Sequence, residues 1–174
     1  MNTVAETSVA SIIAHLLNTH HAYMRTELVY FETQIAKMCA NHGQQRPELF
    51  TIQQLLQDLR DDITPHLEKE EMILFPYAIA LEQAAAGGAP PPGSCFPSVQ
   101  YPIRVMLMEH DTVTGIMARL RDVTANYSVP PGFCQNGADF FRRLEAMEAD
   151  LKEHIRLENE VLFPLAVQIE ESLR

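Results

Sequence analysis

Apolar residues step alternately by three and four along four stretches of this chain, the spacing that gives a helix a single apolar stripe. The first stripe runs Leu17, His21, Met24, Leu28, Phe31, Ile35 and Met38, with Asn41 and Gly43 as its stop. The second runs Ile52, Leu56, Leu59, Ile63, His66, Glu70, Ile73 and Tyr77. The third is Ile103, Met106, His110, Val113, Met117 and Leu120; the fourth is Phe140, Leu144, Met147, Leu151, His154, Glu158, Val161 and Leu165. Segments 41–48, 84–100 and 128–137 separate them and carry turn chemistry, most visibly the Ala/Gly/Pro-rich middle one. No stretch alternates with period two. The pattern predicts an all-α fold, an antiparallel up-down-up-down four-helix bundle, with residues 1–174 forming a single domain.

Proline placement exposes an internal repeat. His66-Leu-Glu-Lys-Glu70-Glu-Met-Ile-Leu-Phe-Pro76 overlays His154-Ile-Arg-Leu-Glu158-Asn-Glu-Val-Leu-Phe-Pro164, each matched position offset by 88. His21 and His110 each lie one helix earlier, so both halves read as a histidine, a connection, then His-x-x-x-Glu. The bundle is therefore expected to have approximate two-fold internal symmetry. Pro76 and Pro164 mark places where the second and fourth helices end or bend. Pro65 is expected to force a kink or bulge just before His66.

The stripes carry six polar residues where a core wants apolar ones: His21, His66, Glu70, His110, His154 and Glu158. A histidine and a glutamate four residues apart lie on one helix face and reach one metal centre. Counted from the connections at 1.5 Å per residue, the histidines fall at matched depths, so the six side chains converge on one level. Two carboxylates buried together without cations are strongly disfavoured, and metal ions neutralise them. Four imidazoles and two carboxylates exceed the donors of one tetrahedral zinc; two octahedral-leaning ions use all six and leave positions open for small ligands. Two iron ions, oxo- or hydroxo-bridged, fit best, followed by manganese and then zinc. His21 with His66, and His110 with His154, are expected to pair on the two ions, with Glu70 and Glu158 bridging.

Stripe position sorts the other candidates. His20 is turned about 100° from His21 and His15 falls off the stripe, so both are read as surface or rim residues. His42 is too far along its helix to share the site. Asp62 and Asp150, each four residues before a stripe histidine, are candidate acceptors for that ring's second N–H. Glu68, Glu71, Glu153 and Glu160 are read as solvated charges.

Charge and composition narrow the partners. A formal net charge of −10 disfavours nucleic acid and anionic membrane. The longest nearly uninterrupted apolar run, 72–81, is about half the roughly 20 residues that span a bilayer. The amino terminus lacks the basic and apolar blocks of a secretory signal, so cytoplasm is the expected compartment. Cys39, Cys95 and Cys134 form no CxxC pair and read as incidental or buried thiols.

With these motifs in place, the chain resembles a hemerythrin-like (HHE) domain over essentially its whole length. It departs from the oxygen-carrying hemerythrins, having Thr114 and Asn159 where those proteins place two further ligands. It is instead similar to the C-terminal di-iron domain of the repair-of-iron-centres family in 69–76, in Met108-Glu-His-Asp111 with Gly115, and in 154–164. That resemblance implies service in nitric oxide or oxidative stress, with damaged iron–sulfur proteins, a small diatomic ligand (nitric oxide or oxygen) and an electron donor as partners. Reversible gas binding as sensor or scavenger, and di-iron oxidase, peroxidase or nitric oxide reductase turnover, use the same open core and stay open at this stage.

Overall fold

The computed structural model describes residues 8–174. Four long helical rods follow one another, and no strand occurs among these residues. The first rod, 9–42, joins Val9–His15, a π-helical Leu16–His21 and Ala22–His42. The second, 48–87, joins Glu48–Lys69, π-helical Glu70–Leu74 and Phe75–Gly87. The third is Gln100–Val123. The fourth, 135–172, joins Gln135–Leu157, π-helical Glu158–Leu162 and Phe163–Ser172. Ser8 caps the first rod by accepting from the Ser11 N–H at 3.0 Å. Gly88 ends the second in the left-handed conformation, φ 63°, which glycine adopts without steric cost. No helix among the described residues is long and apolar enough to cross a membrane.

Burial divides the interior into two apolar clusters. One gathers Met24, Phe31, Ile35, Leu59, Ile63, Leu67, Val113, Leu120, Phe140, Leu144 and Leu151 with their neighbours. The other gathers Val9, Leu16, Leu74, Phe75, Leu81, Ile103, Met106, Leu162 and Phe163. On every rod the border between them falls at the residues singled out above: His21, His66 with Glu70, His110, and His154 with Glu158. The polar layer is thus clamped between two dry blocks, which fixes its side chains and excludes water.

The three π-helical turns correct the stripe. A π-bulge inserts one residue into the helical register, so the face turned inward moves by one position beyond it. Past Glu70 the buried residues are Leu74, Phe75, Ala78 and Leu81, while Ile73 is 46% exposed and Tyr77 only half-buried. Past Glu158 they are Leu162, Phe163 and Ala166, rather than Val161 and Leu165. On the first rod Leu16, not Leu17, is the core residue. The prolines fit this register change. Pro76 and Pro164 sit in the first turn of the α-helix that resumes, where a missing N–H costs little. Pro65 is exposed inside the continuous helix Glu48–Lys69, and the bulge comes after His66, at Glu70, rather than before it.

Glu170 locks the long 88–99 connection to the fourth rod. Its carboxylate accepts from Ser98 Oγ at 2.6 Å, the Val99 N–H at 2.9 Å, Tyr77 Oη at 3.1 Å and Arg174 at 3.0 Å. Burial alone would push this carboxyl up; the four donors outweigh it and hold it below its ordinary value. A depressed carboxyl stabilises the fold above the unfolded value of about 4.3 and loses that contribution as pH falls through the folded value. Glu170→Ala is expected to cost about 2–3 kcal/mol at pH 7 by leaving buried donors unpaired. The gap to the parent should narrow when urea denaturation is repeated below about pH 4.

Candidate metal centre

All six residues are buried, with Glu70 and Glu158 wholly inaccessible to solvent. His66 and Glu70 share one face of the second rod, His154 and Glu158 one face of the fourth, as the i, i+4 spacing requires. Glu70 turns Oε1 to His66 Nε2 at 3.4 Å and Oε2 to His21 Nε2 at 3.5 Å and His154 Nε2 at 4.0 Å. Glu158 turns Oε2 to His110 Nε2 at 3.0 Å and Oε1 to His154 Nε2 at 3.0 Å. Donor atoms within 4.8 Å of one another form two groups, His21–His154 and His66–His110, and each group includes both glutamates.

This grouping corrects the pairing expected from the sequence, which joined His21 to His66 and His110 to His154. The reason lies in the carboxylates. Glu70 offers one oxygen to its own rod's His66 and the other to His21 of the first rod, so those two histidines stand on opposite sides of it. Glu158 separates His110 from His154 in the same way.

Three of the four rings are oriented by a neighbour. Glu71 Oε1 accepts from His21 Nδ1 at 2.8 Å, Glu109 Oε2 from His66 Nδ1 at 2.9 Å, and Asn159 Oδ1 from His110 Nδ1 at 3.0 Å. With the proton on Nδ1, each Nε2 presents its lone pair to the cluster. Glu71 is itself tied to Arg25, and Glu109 to Lys69. Asp62 is exposed and Asp150 bonds His20 instead of His154, so neither is the direct acceptor the sequence suggested. Glu71 is not a free surface charge; Glu68, Glu153 and Glu160 are exposed.

His20 also departs from expectation, being 4% exposed with Nδ1 2.9 Å from Asp150 Oδ1. The first rod packs against both the second and the fourth, which buries two adjacent faces where a single stripe was read. His15 is exposed, and His42 packs at the far end against Phe133. Glu71, Glu109, Asn159 and His20 did leave a signal in the chain: each sits directly beside one of the six.

The donor set suits a cation. Nε2 of His21, His66 and His110, both oxygens of Glu70 and Oε2 of Glu158 are buried without a hydrogen-bond partner. Such orphaned atoms converging on one point need a ligand. The electrostatics of the layer reflect the same mutual attraction of imidazoles and carboxylates. Burial alone would lower His66, but Glu70, Glu109 and Glu158 push it up to about 9. Burial alone would raise Glu158, but His154 and His110 hold it well below the usual carboxylate range. Phe75 against His21 and Phe163 parallel to His110 at 6.0 Å roof the layer with apolar surface.

An all-helical bundle that gathers four imidazoles and two carboxylates in a dry layer defines a class, the helical cation-binding domains with a histidine–glutamate centre. Residues 12–166 match the model of the hemerythrin HHE cation binding domain, and the chain belongs to that family. Among its relatives is the iron-sulfur cluster repair protein DnrN of Neisseria gonorrhoeae, 31% identical over 151 residues, 87% of this chain and 87% of that protein. The iron-sulfur cluster repair protein YtfE of Salmonella schwarzengrund is 31% identical over 159 residues, covering 91% of this chain. The iron-sulfur cluster repair protein ScdA of Staphylococcus epidermidis is 24% identical over 156 residues, covering 90% of this chain. The chain spans 66% of the length of these two.

Proposed function

We propose that this chain holds two iron ions and serves the repair of damaged iron–sulfur clusters. The observation that carries the reading is the division of each glutamate between the two groups. Glu70 Oε2 and Glu158 Oε1 face His21 and His154, while Glu70 Oε1 and Glu158 Oε2 face His66 and His110. In this reading His21 and His154 would hold one ion and His66 and His110 the other, with Glu70 and Glu158 shared between them. Bound iron would supply exchangeable ferrous ions and one-electron chemistry toward a diatomic ligand such as nitric oxide or oxygen.

The chain's own residues set the conditions. Glu71, Glu109 and Asn159 keep the Nδ1 protons in place, so each imidazole meets a cation with its lone pair already aimed. The two apolar clusters and the Phe75 and Phe163 rings keep water out of the layer. Glu71 and Glu109 reach half-exposed positions, where Arg25 and Lys69 link the rings' outer side to solvent. The functional names of DnrN, YtfE and ScdA support cluster repair as the use of such a site.

The test is reactivation of a cluster enzyme inactivated by nitric oxide. The iron-loaded chain is expected to restore activity faster than the same concentration of free ferrous iron, and His66→Ala to abolish the gain. No advantage over free iron would overturn the repair role.

A further inference from the structure

The acceptors behind the rings follow a rule around the bundle. His21 on the first rod is met by Glu71 from the second, His66 on the second by Glu109 from the third, and His110 on the third by Asn159 from the fourth. In each case the acceptor is the direct sequence neighbour of one of the six residues of the layer. The rule closes on His154 of the fourth rod, which should be met from the first rod by a neighbour of His21.

His20 stands there. Its ring lies 5.6 Å from that of His154, centroid to centroid, with the planes only 13° apart. The internal repeat agrees, because His20 precedes His21 as Glu109 precedes His110. His154 Nδ1 and His20 Nε2 are both buried and both without a hydrogen-bond partner. The other side of His20 is fixed: its Nδ1 lies 2.9 Å from Asp150 Oδ1. A carboxylate is acceptor-only, so the His20 proton sits on Nδ1 and Nε2 carries a lone pair.

We propose that His20 and Asp150 are positioning residues for His154, Asp150 fixing the His20 proton on Nδ1 so that His20 Nε2 accepts the N–H of His154 Nδ1. The inference rests on the two-ion reading above and deepens it. His154 Nδ1 must carry the proton when Nε2 binds a cation, and a neutral buried imidazole is its acceptor. The four rings are then backed by two carboxylates, an amide and an imidazole, which makes the two ion positions inequivalent.

The test is ferrous iron binding under argon, measured for each ion by competition with a chromophoric chelator and accompanied by Mössbauer spectra of the loaded protein. His20→Ala is expected to weaken one ion by about 10–100-fold, the usual effect of removing an outer partner, and to shift one of the two Mössbauer doublets. His20→Gln puts an amide oxygen near the place of Nε2 and is expected to recover most of the affinity. Asp150→Ala should weaken the same ion in the parent but have little effect in the His20→Gln background, because the amide needs no tautomer fixed. Metal-free melting curves identify folded variants.

Parent affinities and spectrum in a folded His20→Ala variant would overturn the inference while leaving the two-ion reading intact. Equal metal loss in the Ala and Gln variants, with lowered metal-free melting, would overturn it in favour of simple packing. A parent chain that fails to bind two ions would overturn the two-ion reading and this inference together.

Discussion

Glu158→Ala is expected to lose both metal ions, whereas His154→Ala loses the full strength of only one position. Glu158 lies 3.0 Å from His110 Nε2 through one oxygen and 3.0 Å from His154 Nε2 through the other. Removing it takes an anionic ligand from each group at once, and leaves Glu70 as the sole carboxylate against two cations. Removing His154 withdraws one neutral ligand from one group. Iron per chain, measured on protein reconstituted and then desalted, should fall from two to near zero in Glu158→Ala and to about one in His154→Ala, since the His66–His110 group keeps every donor when His154 is removed. The internal repeat extends the prediction to Glu70→Ala, which should match Glu158→Ala. Equal occupancies in the glutamate and histidine variants would contradict bridging.

Loading the site should raise the melting temperature by about 15–30 °C. Anything that binds the native state alone stabilises it by RT ln(1 + [L]/Kd), about 4 kcal/mol per site when the ion stands a thousandfold above its dissociation constant. Two such sites contribute about 8 kcal/mol, and in a chain of this size each kcal/mol moves the midpoint by about 2–4 °C. The structural source of the gain is specific. Without an ion the layer keeps orphaned imidazole nitrogens and carboxylate oxygens in a dry core, where a cation is the partner they lack. Calorimetry of metal-free and loaded protein measures the gain. Glu70→Gln/Glu158→Gln, which keeps the shapes and removes both charges, should show almost none.

The six residues of the layer were legible in the chain because local periodicity and the repeat speak together. His-x-x-x-Glu, found twice at one offset, survives any small error in helix register, and the structure brings those residues together with His21 and His110. What was lost followed from two physical facts. A stripe read at 3.6 residues per turn cannot foresee a π-helical turn, so Ile73, Tyr77, Val161 and Leu165 were placed inward where Leu74, Phe75, Leu162 and Phe163 belong. A single stripe also hides lateral contacts. His20 looked peripheral because it is turned from His21, yet that turn aims it at the fourth rod.

The donor atoms group differently from the expected pairing for a related reason. Short connections say which rods are neighbours, but in a ring of four every rod has two. Glu70 decides between them by reaching His66 with one oxygen and His21 with the other. Helix spacing does not fix which way each oxygen points. Glu71, Glu109 and Asn159 were missed in the same way, since a residue next to a ligand points sideways, at the neighbouring rod's ring.

Anomalous diffraction at the iron edge, from crystals of the reconstituted protein, tests the central claim most directly. Two peaks about 3.5–4 Å apart, one between His21 and His154 and the other between His66 and His110, each in reach of both glutamates, is the result expected here. A single peak, or iron bound away from Glu70 and Glu158, would contradict it.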